Sequence, residues 1–81
     1  MRSGETIKTT DIYGKEVEIN EVVLYPQLNK QKTMFWKVEG MFGSWRFTLC
    51  LTEDKQKAME HFAEVNAKLL DAHEADLASR F

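Results

Sequence analysis

The chain has 81 residues, two histidines, one cysteine and a formal net charge of -2, with 43% hydrophobic residues. That length sets an expectation of one domain, and that composition excludes a chain disordered over most of its length. A near-balanced charge argues against general nucleic-acid binding, and a lone Cys50 forbids an internal disulfide and fits a reducing compartment.

Residues 1 to 4 read as a loose start without the apolar segment of a signal peptide. Two strands follow, at about 5–11 and 15–25, joined through Ile12, Tyr13 and Gly14. Taken as a three-residue loop with Gly14 left-handed, this connection sets Asp11 against Lys15, Thr9 against Val17 and Ile7 against Ile19. The apolar pairs then share one face, with an opposite-charge pair beside the turn. The alternation breaks at Asn20 and Glu21, which predicts a bulge or bend there. Pro26 is expected to end the second strand.

The next two strands, at about 33–42 and 45–51, read as a hairpin closed at Gly43 and Ser44. In that register Phe42 faces Trp45, Gly40 faces Phe47, Val38 faces Leu49 and Trp36 faces Leu51. The opposite face carries Phe35, Lys37, Glu39 and Met41 beside Arg46, Thr48 and Cys50.

Thr52 reads as a helix N-cap, with Glu53 and Asp54 in the first turn where the helix dipole favours acids. No Gly or Pro interrupts the chain from there to about residue 79. Ala58, Met59, Phe62, Val65, Leu69 and Leu70 recur at helical spacing, and Glu53–Lys57, Glu64–Lys68 and Asp76–Arg80 form i,i+4 acid-to-base pairs. The expected fold is α+β: a four-stranded antiparallel β-meander with one long C-terminal helix across one face. Its core would join Trp36, Val38, Phe42, Trp45, Phe47, Leu49 and Leu51 to Met59, Phe62, Val65 and Leu69.

No motif for catalysis, metal or nucleotide stands out, so no enzyme activity and no cofactor are expected. His61 and His73 lie twelve residues apart on the helix, about 18 Å, too far to share an ion. The serines at 3, 44 and 79 stand outside any nucleophile motif. No apolar run reaches the ~20 residues of a membrane span, so the reading is a soluble, cytoplasmic protein with no membrane partner.

Two surfaces could carry binding. On the outer sheet face, Phe35 and Met41 stand among Lys37 and Arg46, and aromatics, Met and Arg are enriched at protein interfaces. The same aromatic among cations suits nucleic acid as an alternative. On the helix, Glu60, Glu64, Asp71 and Glu74 form an acidic side that could mimic nucleic-acid charge or face cationic groups, although a solvated helix presents the same residues. Leu70, His73 and Leu77 are candidates for a homodimer contact, a third reading.

Part of the helix, Asp54, Gln56, Ala58, Phe62 and the run Ala63-Glu64-Val65-Asn66, resembles the helix of a small T-even phage antitoxin family. The resemblance covers about one seventh of the chain, and the first hairpin has no counterpart in it. It implies a small, non-enzymatic phage or mobile-element protein that binds and inhibits a host defence protein in the host cytoplasm, similar in size and acidity to anti-CRISPR proteins. It transfers no binding residue.

Overall fold

The computed structural model of the protein describes the backbone of residues 6–78 and the side chains of residues 6–74. Five strands and one helix follow in order: β1 (Ile7–Thr10), β2 (Glu16–Ile19), β3 (Glu21–Leu28), β4 (Met34–Phe42), β5 (Trp45–Thr52) and α1 (Lys55–Ala78). The fold is α+β, but the strands form two antiparallel sheets, β1-β2 and β3-β4-β5, rather than one four-stranded meander.

The division falls at the expected bend. Asn20 separates β2 from β3, and its N–H donates to the Met41 carbonyl at 2.9 Å. Beyond it β2 leaves the plane of the sheet. Ile19, fully buried, lies against Gly40: a Cβ built on that glycine would sit 2.7 Å from Ile19 Cγ2 and 3.1 Å from Leu49 Cδ1. The missing side chain at Gly40 therefore admits Ile19 from the folded-over hairpin. At the far side, the Ile12 N–H donates to the Thr48 carbonyl on β5 at 3.0 Å. The β1-β2 hairpin thus spans the inner face from the start of β3 to β5, and α1 packs against β3, β4, β5 and β1.

The β1-β2 register is the expected one, with Ile7 opposite Ile19 and Thr9 opposite Val17. Gly14 takes a left-handed φ of 81°. The β4-β5 turn has a positive φ at Gly43 and none at Ser44, the pattern of a type II′ hairpin. β3 continues through Pro26 to Leu28 instead of stopping at the proline, because β3 is an edge strand, where a missing N–H is tolerated.

The β4-β5 register follows expectation from Phe42–Trp45 to Glu39–Thr48 and then shifts by one residue. Val38 faces Cys50, not Leu49, and Trp36 faces Thr52, not Leu51. The extra residue is a β-bulge, and it exchanges the faces of everything after it. Cys50 packs against the core and Leu51 is exposed, the reverse of their expected positions. Burial raises the Cys50 thiol pKa above its usual 9.0.

The buried core consists of Val17, Ile19, Val38, Leu49, Ala58 and Val65, with Ile7, Val22, Leu24, Trp36, Phe47, Phe62 and Leu69 packed around it. Phe42, Trp45 and Met59, expected in the core, are exposed, Trp45 at 68%. The helix explains Met59. Two adjacent rows run along it, one through 58, 62, 65 and 69 and one through 59, 66 and 70. The core covers the first row, leaving Met59 and Leu70 outside. Phe42 and Trp45 flank the β4-β5 turn, at the end of the hairpin.

The helix begins later than expected. Asp54, not Thr52, is the N-cap: its Oδ1 accepts from the N–H of Gln56 at 2.9 Å and of Lys57 at 3.3 Å. Thr52 ends β5, and its Oγ1 accepts from the Asp54 N–H at 3.1 Å. Glu53 precedes the helix, so the expected Glu53–Lys57 pair lacks helical geometry, whereas Glu64–Lys68 forms at 3.8 Å. The Asp76–Arg80 pair, residue 5 of the first expected strand and residue 79 of the helix lie outside the described residues.

Candidate protein-binding face

Alternation along β3, β4 and β5 sends one set of side chains away from the core. Tyr25 is paired with Lys37, Val23 with Glu39, and Met41 with both Glu21 and Arg46. Phe35, Lys37, Met41 and Arg46 therefore share the outer face, as expected from the sequence.

The centre of this face is Glu39, only 5% exposed. A carboxylate that far from water needs partners, and three converge on it. Arg46 Nη1 donates to Oε1 at 3.1 Å, and the Tyr25 hydroxyl donates to Oε2 at 3.4 Å. Lys37 Nζ forms an ion pair with Oε2 at 3.5 Å. Arg46 lies diagonally across the β4-β5 pair, within reach of a long side chain, and Lys37 is two residues back on the same strand and face. The Arg46 side chain remains 67% exposed. One end of its guanidinium is tied to a buried anchor while most of the side chain meets solvent.

An apolar corner adjoins this charged centre. The bulge places Leu51 opposite Lys37 on the outer face, near Phe35, and Gln27, Leu28, Asn29, Phe35 and Leu51 line a shallow cavity of about 180 Å³. The face thus offers an aromatic and a leucine at one end, a fixed arginine and lysine in the middle, and Met41 at the other. Apolar side chains beside a positioned arginine are residue types enriched at protein interfaces.

Sequence reasoning missed two members of this face, Tyr25 and Leu51, and the role of a third. Glu39 was visible as part of the face, but its role as anchor depends on Arg46 and Tyr25 arriving from neighbouring strands. Tyr25 joins the face through the β3-β4 register that pairs it with Lys37, a register the sequence analysis did not set. Leu51 carried no signal, because Leu49 and Cys50 are equally acceptable opposite Val38.

The acidic candidates are placed elsewhere. Glu60, Glu64, Asp71 and Glu74 are all exposed, within about 80° of arc and about 21 Å along α1, on the side opposite the buried row. Glu60 accepts from Gln56 Nε2 at 3.2 Å, and Glu64 pairs with Lys68. These contacts stay within the helix. Leu70 and His73 line a second groove, with Asn66 and Leu69, against Asn20, Glu21 and Val22. The side chain of Leu77 lies outside the described residues.

Among the described residues, no group of three or more His, Cys, Asp or Glu side chains is placed to hold a metal ion. His61 Nε2 is inaccessible and, among the described residues, lacks a hydrogen-bond partner. No described helix is long and apolar enough to cross a membrane. Comparison with protein-family models, with curated proteins and with solved structures found no significant match.

Proposed function

We propose that the protein is a non-enzymatic binding protein that contacts a protein partner through the outer face of β3-β4-β5 and acts by occupying that partner's surface. The observation that carries the proposal is the Arg46–Glu39 arrangement: an exposed guanidinium held on a buried carboxylate that also binds Lys37 and Tyr25. Pre-organised side chains lose less freedom on binding, and positioned arginines beside aromatic anchors dominate many interfaces. Phe35 and Leu51 supply the apolar anchor.

Within this reading, the partner is a host defence protein and the chain an inhibitor from a phage or mobile element, acting in the host cytoplasm as antitoxin-like and anti-CRISPR-like proteins do. The helix resemblance and the small acidic chain support that class by analogy. Nucleic acid fits the outer face less well, because Lys37 and Arg46 share their charge with Glu39.

The test is affinity capture from bacterial lysate with tagged protein, with and without nuclease, read by mass spectrometry. The proposal expects one stoichiometric protein partner that survives nuclease and engages Phe35 and Arg46. Recovery of nucleic acid, or of partners lost on nuclease treatment, would overturn it in favour of nucleic-acid binding.

A further inference from the structure

The three-stranded sheet has two edges, and they differ. The β5 edge receives the Ile12 N–H at the Thr48 carbonyl. Among the described residues, no strand pairs with the outer edge of β3. The part of β3 from Glu21 to Tyr25 contains no proline, the residue that guards many free edges. Its backbone groups on that side are a template for a further strand.

Beside this edge lies the groove of about 270 Å³ between the start of β3 and the second half of α1. Val22, Leu69 and Leu70 form its apolar surface, and Leu70 is 54% exposed. The space is below the ~300–1,000 Å³ typical of small-molecule sites and suits inserted side chains better. No lysine or arginine lines it, whereas Glu21 does. The charged carboxylate of the lining is therefore Glu21, beside an apolar slot.

We propose that this groove docks an extended, cationic segment of a protein partner, which adds a strand to the free edge of β3 and inserts an apolar side chain between Val22 and Leu70. Main-chain hydrogen bonds to the edge supply affinity, while the slot and Glu21 select an apolar residue next to a lysine or arginine. The inference deepens the protein-binding reading by naming a partner chemistry, but uses a surface separate from Phe35, Lys37 and Arg46.

The test is selection of phage-displayed random decapeptides on the whole protein, followed by titration of a synthesised winner into isotope-labelled protein. Enriched peptides are expected to place Lys or Arg within two positions of an apolar residue. They should shift the amides of residues 20–24 and 69–73. Affinity should fall more than tenfold on N-methylation of alternate peptide amides. Glu21→Lys and Leu70→Gln, both at exposed positions, should weaken binding in a protein that remains folded by circular dichroism. No enrichment, indifference to N-methylation, or pairing of the edge with a second copy of the chain would overturn the inference. Peptides mapping to the outer sheet face would also overturn it, while leaving the reading of that face standing.

Discussion

The two faces of β3-β4-β5 are built from the same three strands and hold together by opposite means. On the inner face, shape decides: Gly40 leaves the space that Ile19 fills, and Val38 and Leu49 close around it. On the outer face, charge decides: Glu39 is buried because Arg46, Lys37 and Tyr25 cover and neutralise it. An apolar core tolerates no new volume, whereas a charged cluster with one exposed member can be opened toward a partner. The difference separates a packed apolar surface from a charged one whose Arg46 still meets solvent.

Substitutions on each face can break or sharpen this contrast. The largest effect is expected at Gly40→Ala, because the new Cβ meets the fully buried Ile19 at 2.7 and 2.9 Å, so that side chain must shift within the core. Overpacking of this kind costs about 1–3 kcal/mol, so chemical denaturation should show a clearly lowered midpoint. An unchanged midpoint would mean that the hairpin does not sit on the sheet as described. On the outer face, Arg46→Ala should cost about 1–2 kcal/mol, since a mostly buried carboxylate loses its shortest partner but keeps Lys37 and Tyr25. A loss near zero would show that Glu39 is adequately solvated without Arg46.

Smaller effects compare two loops. Asp11 Oδ1 accepts from the N–H groups of Tyr13 and Lys15, and Asn29 Oδ1 accepts from those of Gln31 and Thr33. Each loop closes with the same backbone bonds, Asp11 N–H to Lys15 carbonyl and Asn29 N–H to Thr33 carbonyl. The fourth residue of each is left-handed, but one is Gly14 and the other Lys32, at a φ of 64°. Gly14→Ala should therefore destabilise by about 1 kcal/mol, and Lys32→Gly should stabilise by about 0.5 kcal/mol, measured by thermal unfolding.

The bulge gives the subtlest check. Cys50 holds its proton to a higher pH in the folded chain than in the unfolded one. Thiol-reagent labelling at pH 8 should thus be slower in the native than in the denatured protein. By the same linkage, the fold loses stability as pH rises past 9.0, and this group has no influence well below that value. Labelling as fast as in the denatured chain would place Cys50 outward and remove the bulge.

The legible parts of the fold were those where two independent signals agreed. The first hairpin had both an apolar pairing pattern and a glycine in its loop, and both the register and Gly14 stand as expected. The bend at Asn20 was visible in the broken alternation. Its consequence was not, because whether β2 continues the sheet or folds over it depends on the contact between Ile19 and Gly40, which are far apart in sequence. A polar connection between the strands ending near 25 and starting near 33 was legible, but its tight form at Asn29 was not, because a lysine occupies the left-handed position where glycine would have signalled the turn. Thr52 and Asp54 are both residue types that cap helices, and the choice fell to Asp54 because β5 runs on through Thr52. On the candidate face, Phe35, Lys37, Met41 and Arg46 followed from alternation alone, while Leu51 required the bulge.

The most direct measurement is the affinity of the captured partner for three proteins: wild type, the double variant Phe35→Ala and Arg46→Ala, and the double variant Glu60→Lys and Glu64→Lys. With the outer face as the contact, the first variant binds over tenfold more weakly, a loss of about 1.4 kcal/mol or more, and the second binds like wild type. The opposite pattern, with affinity lost only on reversing the helix charges, would contradict the account and move recognition to the acidic side of α1.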